Sequence, residues 1–323
     1  RFCLVVEVKK SPRVGGRFLQ RKQEVPAVGS MGDDEKNHGP AFNLDMLKDP
    51  EKLKMLAMKY SQTEAFKIWG GFAVIAFIVF MLVSSGDFSF LLTLSSLLSM
   101  FSFLMVALKM ETNRSCKGVS MKMMECYLVI FFFRLCAIIP FEGYLPFDKS
   151  GDWFYQTCEA LGFCLAGTIV YFCRIKYAAT YDPDTDTFQH LYLGVGALGL
   201  SLIFHPNLNG FLPSDIGWAF ALYLESVAVL CQLYMFMKEG RAQEFTSHFL
   251  AAQAMAKVMS FIFWASSFSE LSDPNHHIKA FVGNWVVCAQ LIQLLIMGDF
   301  IYHYMRCIQR GIPVSQLLVS DAV

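Results

Sequence analysis

The apolar residues of this chain fall in long runs broken by short polar loops. The runs are Lys67–Ser85, Phe88–Leu108, Met123–Phe141, Trp153–Tyr171, Leu191–Phe204, Ile216–Met237, Phe249–Phe268 and Phe281–Tyr304. Each is near the ~20 residues that carry a helix across a bilayer, the fifth being the shortest. The pattern predicts an all-α membrane protein with eight spans. Upstream, Leu44, Leu47, Leu53 and Leu56 recur at helical spacing with lysines between them, which predicts an amphipathic lead-in helix over 43–66. Residues 1–42 carry no such periodicity and are expected to be a disordered cytosolic extension. Met31 reads as a natural start. No apolar h-region with a cleavage site precedes it, so no signal peptide is predicted.

Loop charges orient the spans. Lys109, Arg114, Lys117, Lys122, Arg174, Lys176, Lys238, Arg241, Arg306 and Arg310 follow even-numbered spans, whereas only Lys149 and Lys279 follow odd-numbered ones. Lys and Arg mark the cytosolic side, so the basic loops and the tail at 306–323 are assigned to the cytosol.

Composition agrees with this picture. The 323 residues are 55% hydrophobic and 17% charged, well below the charged share of a soluble domain. Zero formal net charge leaves no basic field for nucleic acid. Ten cysteines are present, but they form no CxxC pair and are read as small buried hydrophobes, so no metal is expected. No cofactor loop and no catalytic motif occurs, which argues against an enzyme.

The informative residues are charges inside the spans, where an ionisable group is costly and marks a functional site by default. Arg134 lies in span three, Glu225 in span six, Lys257 in span seven and Asp299 near the end of span eight. At 100° per residue, Asp215, Trp218, Glu225 and Gln232 fall within about a third of one helix circumference. Two readings follow. Glu225 forms an internal ion pair with Arg134 or Lys257 and fixes packing, or these groups line a polar, lumen-facing cavity for a charged ligand.

Several stretches occur in an order and spacing that resemble the ER lumen protein-retaining receptors, the KDEL/HDEL receptor family. They are RSCKGVS at Arg114–Ser120, the YD…DTF run at Tyr181–Phe188, YLESVAVLCQLYM at Tyr223–Met235, TSHFL at Thr246–Leu250 and GDFIYHY at Gly298–Tyr304. An added first helix resembles the receptor-like branch known from plants. The resemblance implies a seven-helix SWEET/PQ-loop-like core over 87–305, built as two three-helix repeats joined by a linker helix at Leu191–Phe204. The extra transmembrane helix is then 67–86.

The resemblance also implies a function. Such receptors bind the carboxyl-terminal tetrapeptide of escaped ER residents in the Golgi and return with it to the ER through the COPI coat. The implied ligand residues are Arg134, Lys257, Asp215, Trp218 and Trp264, with Glu225 as pH switch and Asp299 in cycling. Lys257 stands in place of an arginine, keeping the charge without the bidentate fork. Leu92 and Ser267 stand in place of two further arginines, Ser99 of a histidine, and Ala256 of a tyrosine that pairs with the buried glutamate. An altered signal specificity is therefore expected. A SWEET-like small-solute transporter, or a family member that no longer binds the standard signal, is the alternative.

Overall fold

A computed structural model describes residues 64–84, 86, 88–141, 144–145, 151–240, 242–272 and 278–310. The predicted extension over 1–42, most of the lead-in helix over 43–66, Lys149, Arg241 and the tail beyond 310 lie outside them.

Among the described residues there is helix and no strand. The helices are α1 (Glu64–Val83), α2 (Phe90–Asn113), α3 (Met121–Ile138), α4 (Gln156–Tyr171), α5 (His190–Ile203), α6 (Leu212–Ala228), α7 (Leu230–Glu239), α8 (Glu244–Ser267) and α9 (Val282–Arg310). Tight π-helical turns at Gly151–Tyr155 and Phe172–Lys176 lengthen α4 at both ends. Among the described residues five helical stretches are long and apolar enough to cross a membrane: Phe90–Asn113, Trp153–Lys176, Leu212–Glu239, Phe245–Leu271 and Lys279–Cys307. The other predicted spans are helical too, as α1, α3 and the 14-residue α5.

Packing follows one scheme twice. Helix α4 packs against both α2 and α3, and α9 against both α6 and α8. The two sets meet where α2 lies on α8 and α3 on α6, while α5 rests on α6. Helix α1 joins at the side. Its Phe72 belongs to a satellite apolar cluster with Leu97, Leu98, Cys158, Ala252 and Ala256, and its ring lies 4.8 Å from that of Phe101. The outer face of α1 stays open, with Val74, Phe77, Met81 and Leu82 exposed, as expected of a helix that meets lipid on one side.

Span six, Leu212–Glu239, is interrupted at a single residue. The chain breaks at Val229, between α6 and α7, although no proline or glycine stands there. The Val229 N–H turns to the Val227 carbonyl, and the Glu225 carbonyl accepts the Gln293 Nε2 amide of α9 at 2.9 Å. A side chain inserted into the backbone ladder is a recognised cause of a kink.

The end of the bundle with the basic loops is closed by neutral hydrogen bonds. Gln232 Oε1 accepts the Ser120 N–H at 2.8 Å, and its Nε2 donates to the Gly118 carbonyl at 3.0 Å. Thr246 Oγ1 donates to the same carbonyl at 3.2 Å. Ser120 caps α3 by accepting the Met123 N–H, and its hydroxyl donates to Asp186 at 2.9 Å. The Tyr181 hydroxyl donates to the other Asp186 oxygen at 2.8 Å. Gly118 has φ +82°, and a Cβ there would meet Gln243 Cγ at 2.1 Å, so the turn needs glycine. In the same loop, the Thr185 hydroxyl and nearby backbone N–H groups hold the Asp182 carboxyl below its usual range. The RSCKGVS, YD…DTF and TSH stretches thus meet in one place.

Candidate functional site

At the opposite half of the bundle five helices bring polar side chains together. Arg134 comes from α3, Glu159 from α4, Glu225 from α6, Lys257 from α8 and Ser96 from α2. They form a chain of contacts. Lys257 Nζ lies 2.6 Å from Glu225 Oε1, and Arg134 Nη2 lies 2.5 Å from Glu225 Oε2. Arg134 Nη1 lies 3.2 Å from Glu159 Oε2, and the Ser96 hydroxyl donates to Glu159 Oε1 at 2.7 Å. Side-chain exposure is 12% for Arg134 and 5% or less for the other three charged groups.

Two cations and two acids sum to zero formal charge. That balance is what allows burial, since an unpaired ion in this setting costs several kcal/mol. Glu225 pairs with Arg134 and with Lys257 together, and the same groups line a cavity. The cavity measures about 30 Å³, room for roughly two water molecules. Arg134 and Lys257 are therefore not bare cations awaiting an anion, and the partner that changes the picture is Glu159.

Aromatic rings wall the cavity on the side away from the basic loops. Trp218 and Trp264 line it and meet edge to face, centroids 5.2 Å apart. Tyr144 stacks on Trp218 at 4.3 Å, and its hydroxyl donates to Asp215 Oδ1 at 2.5 Å. Asp215 is fully buried, and its Oδ2 has no partner. It sits one turn from Trp218 and does not line the cavity.

The structure therefore gathers Arg134, Glu225, Lys257, Trp218 and Trp264 around one space, with Asp215 just beyond. It leaves Asp299 apart, its side chain 90% exposed and 3.7 Å from His303. Gln232 belongs to the other end of the bundle. His205 is buried, its Nδ1 3.0 Å from the Pro206 carbonyl. His276 and His277 lie outside the described residues. Ser99 faces α8, where it bonds with Gln253. Ala256 is fully buried, and its carbonyl accepts the Ser95 hydroxyl at 2.8 Å. Among the described residues no cluster suits a metal ion.

Sequence reasoning passed over Glu159. Its signal was the one that exposed Glu225: a single acid inside an apolar run, here WFYQTCEALGFC. Gln290 and Gln293, two amides at i, i+3 in the last span, were also passed over. The former lines the cavity and the latter holds the α6–α7 break.

Comparison with known proteins decides the family. The family described as ER lumen protein retaining receptor matches residues 115–267. The chain is 30% identical over 215 residues to ER lumen protein-retaining receptor 2 of Homo sapiens, covering 66% of this chain and 92% of the relative. The chain belongs to the ER lumen protein-retaining receptor family. The Bos taurus relative of the same name is 31% identical and that of Xenopus laevis 29%, with the same coverage. This is a receptor family rather than an enzyme family. Together with the apolar helices, membership makes the chain a multi-pass membrane protein of the ER/Golgi system. The match at 115–267 begins after α2 and stops before α9, so it holds Arg134, Glu159, Glu225 and Lys257 but not Gln290.

Proposed function

We propose that this receptor binds the free carboxyl terminus of lumenal proteins in the cavity around Arg134 and Lys257 and carries them from Golgi to ER. The basic loops face the cytosol in this reading, and the cavity half faces the lumen. The observation that carries it is the neutral four-charge cluster beside a ring of tryptophans. Arginine matches a carboxylate with two parallel N–H donors, and the unpartnered Asp215 Oδ2 suits a cationic side chain earlier in the signal.

Charge balance sets the sign of the pH response. A terminal carboxylate brings one negative charge into a cluster that is already neutral. A proton taken up by the cluster restores neutrality and releases a cation to the ligand. Binding is then coupled to proton uptake, so affinity rises as pH falls. One linked proton changes affinity by at most about tenfold per pH unit. The signal is tight in an acidic compartment and released in a neutral one. Because Glu159 and Glu225 hold both cations, this receptor prefers a tail different from the standard KDEL or HDEL. Return by the COPI coat completes the cycle.

Titration of purified receptor with tails ending in KDEL, HDEL and variants, free and carboxyl-amidated, at mildly acidic and neutral pH tests the reading. Free acids are expected to bind more tightly in acid, and amidated tails to lose binding. Arg134→Ala should weaken binding about 10- to 100-fold, as for loss of a charged hydrogen bond. Equal binding of free and amidated tails, or of parent and Arg134→Ala, would overturn it.

A further inference from the structure

Within the cavity lining the polar groups are not equally committed. The Ser95 hydroxyl bonds to the Ala256 carbonyl, Ser96 to Glu159, and Ser99 to Gln253. The four charged residues hold one another. Gln290, from α9, differs: it is 2% exposed, it lines the cavity, and its Oε1 accepts no hydrogen bond. A carbonyl oxygen buried without a donor is an unstable arrangement unless something enters to donate to it.

The neighbours restrict what that donor is. Arg134, Lys257, Glu159 and Glu225 line the same small space and their charges already cancel, so a neutral N–H is favoured over an added charge. In a peptide held by its terminal carboxylate, the closest neutral N–H is that of the last residue. It is separated from the carboxylate carbon by a single Cα. Resting on the peptide-binding reading above, we propose that Gln290 is a specificity-determining residue that accepts a hydrogen bond from the backbone N–H of the signal's last residue. The terminal carboxylate lies meanwhile on the cations.

This assigns Gln290 a task distinct from that of Gln293, three residues further along α9. Gln293 also has an unpartnered Oε1, but its Nε2 is spent on the Glu225 carbonyl and it does not line the cavity. It also makes the last peptide bond, and not only the charge after it, part of what the receptor recognises.

A pair of peptides tests it without altering the protein. One is a bound tail with a free carboxyl terminus. The other is the same tail with its last peptide bond replaced by an ester, which removes the N–H and keeps the carboxylate. Parent receptor should bind the ester about tenfold more weakly. Gln290→Leu should bind the amide as weakly as the parent binds the ester, and should show no further loss with the ester. Ester and amide bound equally by the parent would overturn the proposal. So would a tenfold ester penalty retained in Gln290→Leu, because the N–H would then have another acceptor. If Gln290→Leu does not yield folded receptor by size-exclusion chromatography, Gln290→Met takes its place, and the parent comparison stands alone. Failure of every free-acid tail to bind folded parent would instead overturn the peptide-binding reading on which this one rests.

Discussion

Near the basic loops Gln232 joins α7 to the loop before α3 with neutral hydrogen bonds to Gly118 and Ser120, while in the cavity Glu225 joins three helices with ion pairs to Arg134 and Lys257. Both are buried polar residues of the same broken span, seven residues apart. Gln232 spends its amide on backbone groups, the Ser120 N–H and the Gly118 carbonyl. Glu225 spends its charge on side chains that a ligand carboxylate can compete for. The first arrangement has one low-energy state. In the function proposed here the second exchanges partners when an anion enters, which is the property a ligand-operated device needs.

That contrast breaks first at Glu225. Glu225→Ala leaves Arg134 paired with Glu159 alone and removes the carboxylate that Lys257 meets, and breaking a buried pair costs about 3–5 kcal/mol. Thermal or denaturant unfolding of receptor in detergent reads this directly. Gln232→Ala strands the Ser120 N–H and the Gly118 carbonyl, although Thr246 still donates to the latter. The expected loss is about 1–3 kcal/mol, with peptide affinity unchanged. A Gln232→Ala receptor that kept its stability but lost pH-dependent binding would reverse the roles assigned to the two ends.

How far the chain disclosed these ends depends on the kind of signal. Helices stood at all eight predicted positions because run length and apolarity are local properties. Glu225, Arg134 and Lys257 were visible for the same reason, as isolated charges in apolar runs. Which charge met which was not visible, since the pairs join residues 91 and 32 positions apart. The break at Val229 left no local mark, because its cause is an amide on α9. The RSCKGVS, YD…DTF and TSH stretches identified the family, yet the structure gives them to the hydrogen-bonded closure and not to the cavity. Another stretch that carries the resemblance, YLESVAVLCQLYM, instead brings Glu225 to the cavity.

A smaller effect is expected at the aromatic wall. Tyr144→Phe removes the hydroxyl that donates to Asp215 and keeps the ring stacked on Trp218. Stability should fall by about 0.5–1.5 kcal/mol, and Asp215 becomes a fully uncommitted acid. If Asp215 holds a cationic side chain of the signal, tails with lysine at the first position should gain affinity over tails with alanine there. An identical preference in parent and variant would separate Asp215 from the ligand.

Asp299 should show the least. Its side chain is 90% exposed with His303 as an i, i+4 neighbour, and it belongs to neither the ion cluster nor the hydrogen-bonded closure. Exposed substitutions usually change stability by no more than about 0.5 kcal/mol. Asp299→Asn is expected to stay within that margin and to bind the tail peptides like the parent at both pH values. A role in cycling would then appear only in cells, as a tagged receptor that binds its ligand but no longer redistributes from Golgi to ER when ligand is supplied. A tenfold loss of peptide affinity in the purified variant would instead mean that the far part of α9 is coupled to the cavity. Since Gln290 and Gln293 ride on the same helix, the coupling would run along α9 itself, and the two ends of the bundle would have to be treated as one switch.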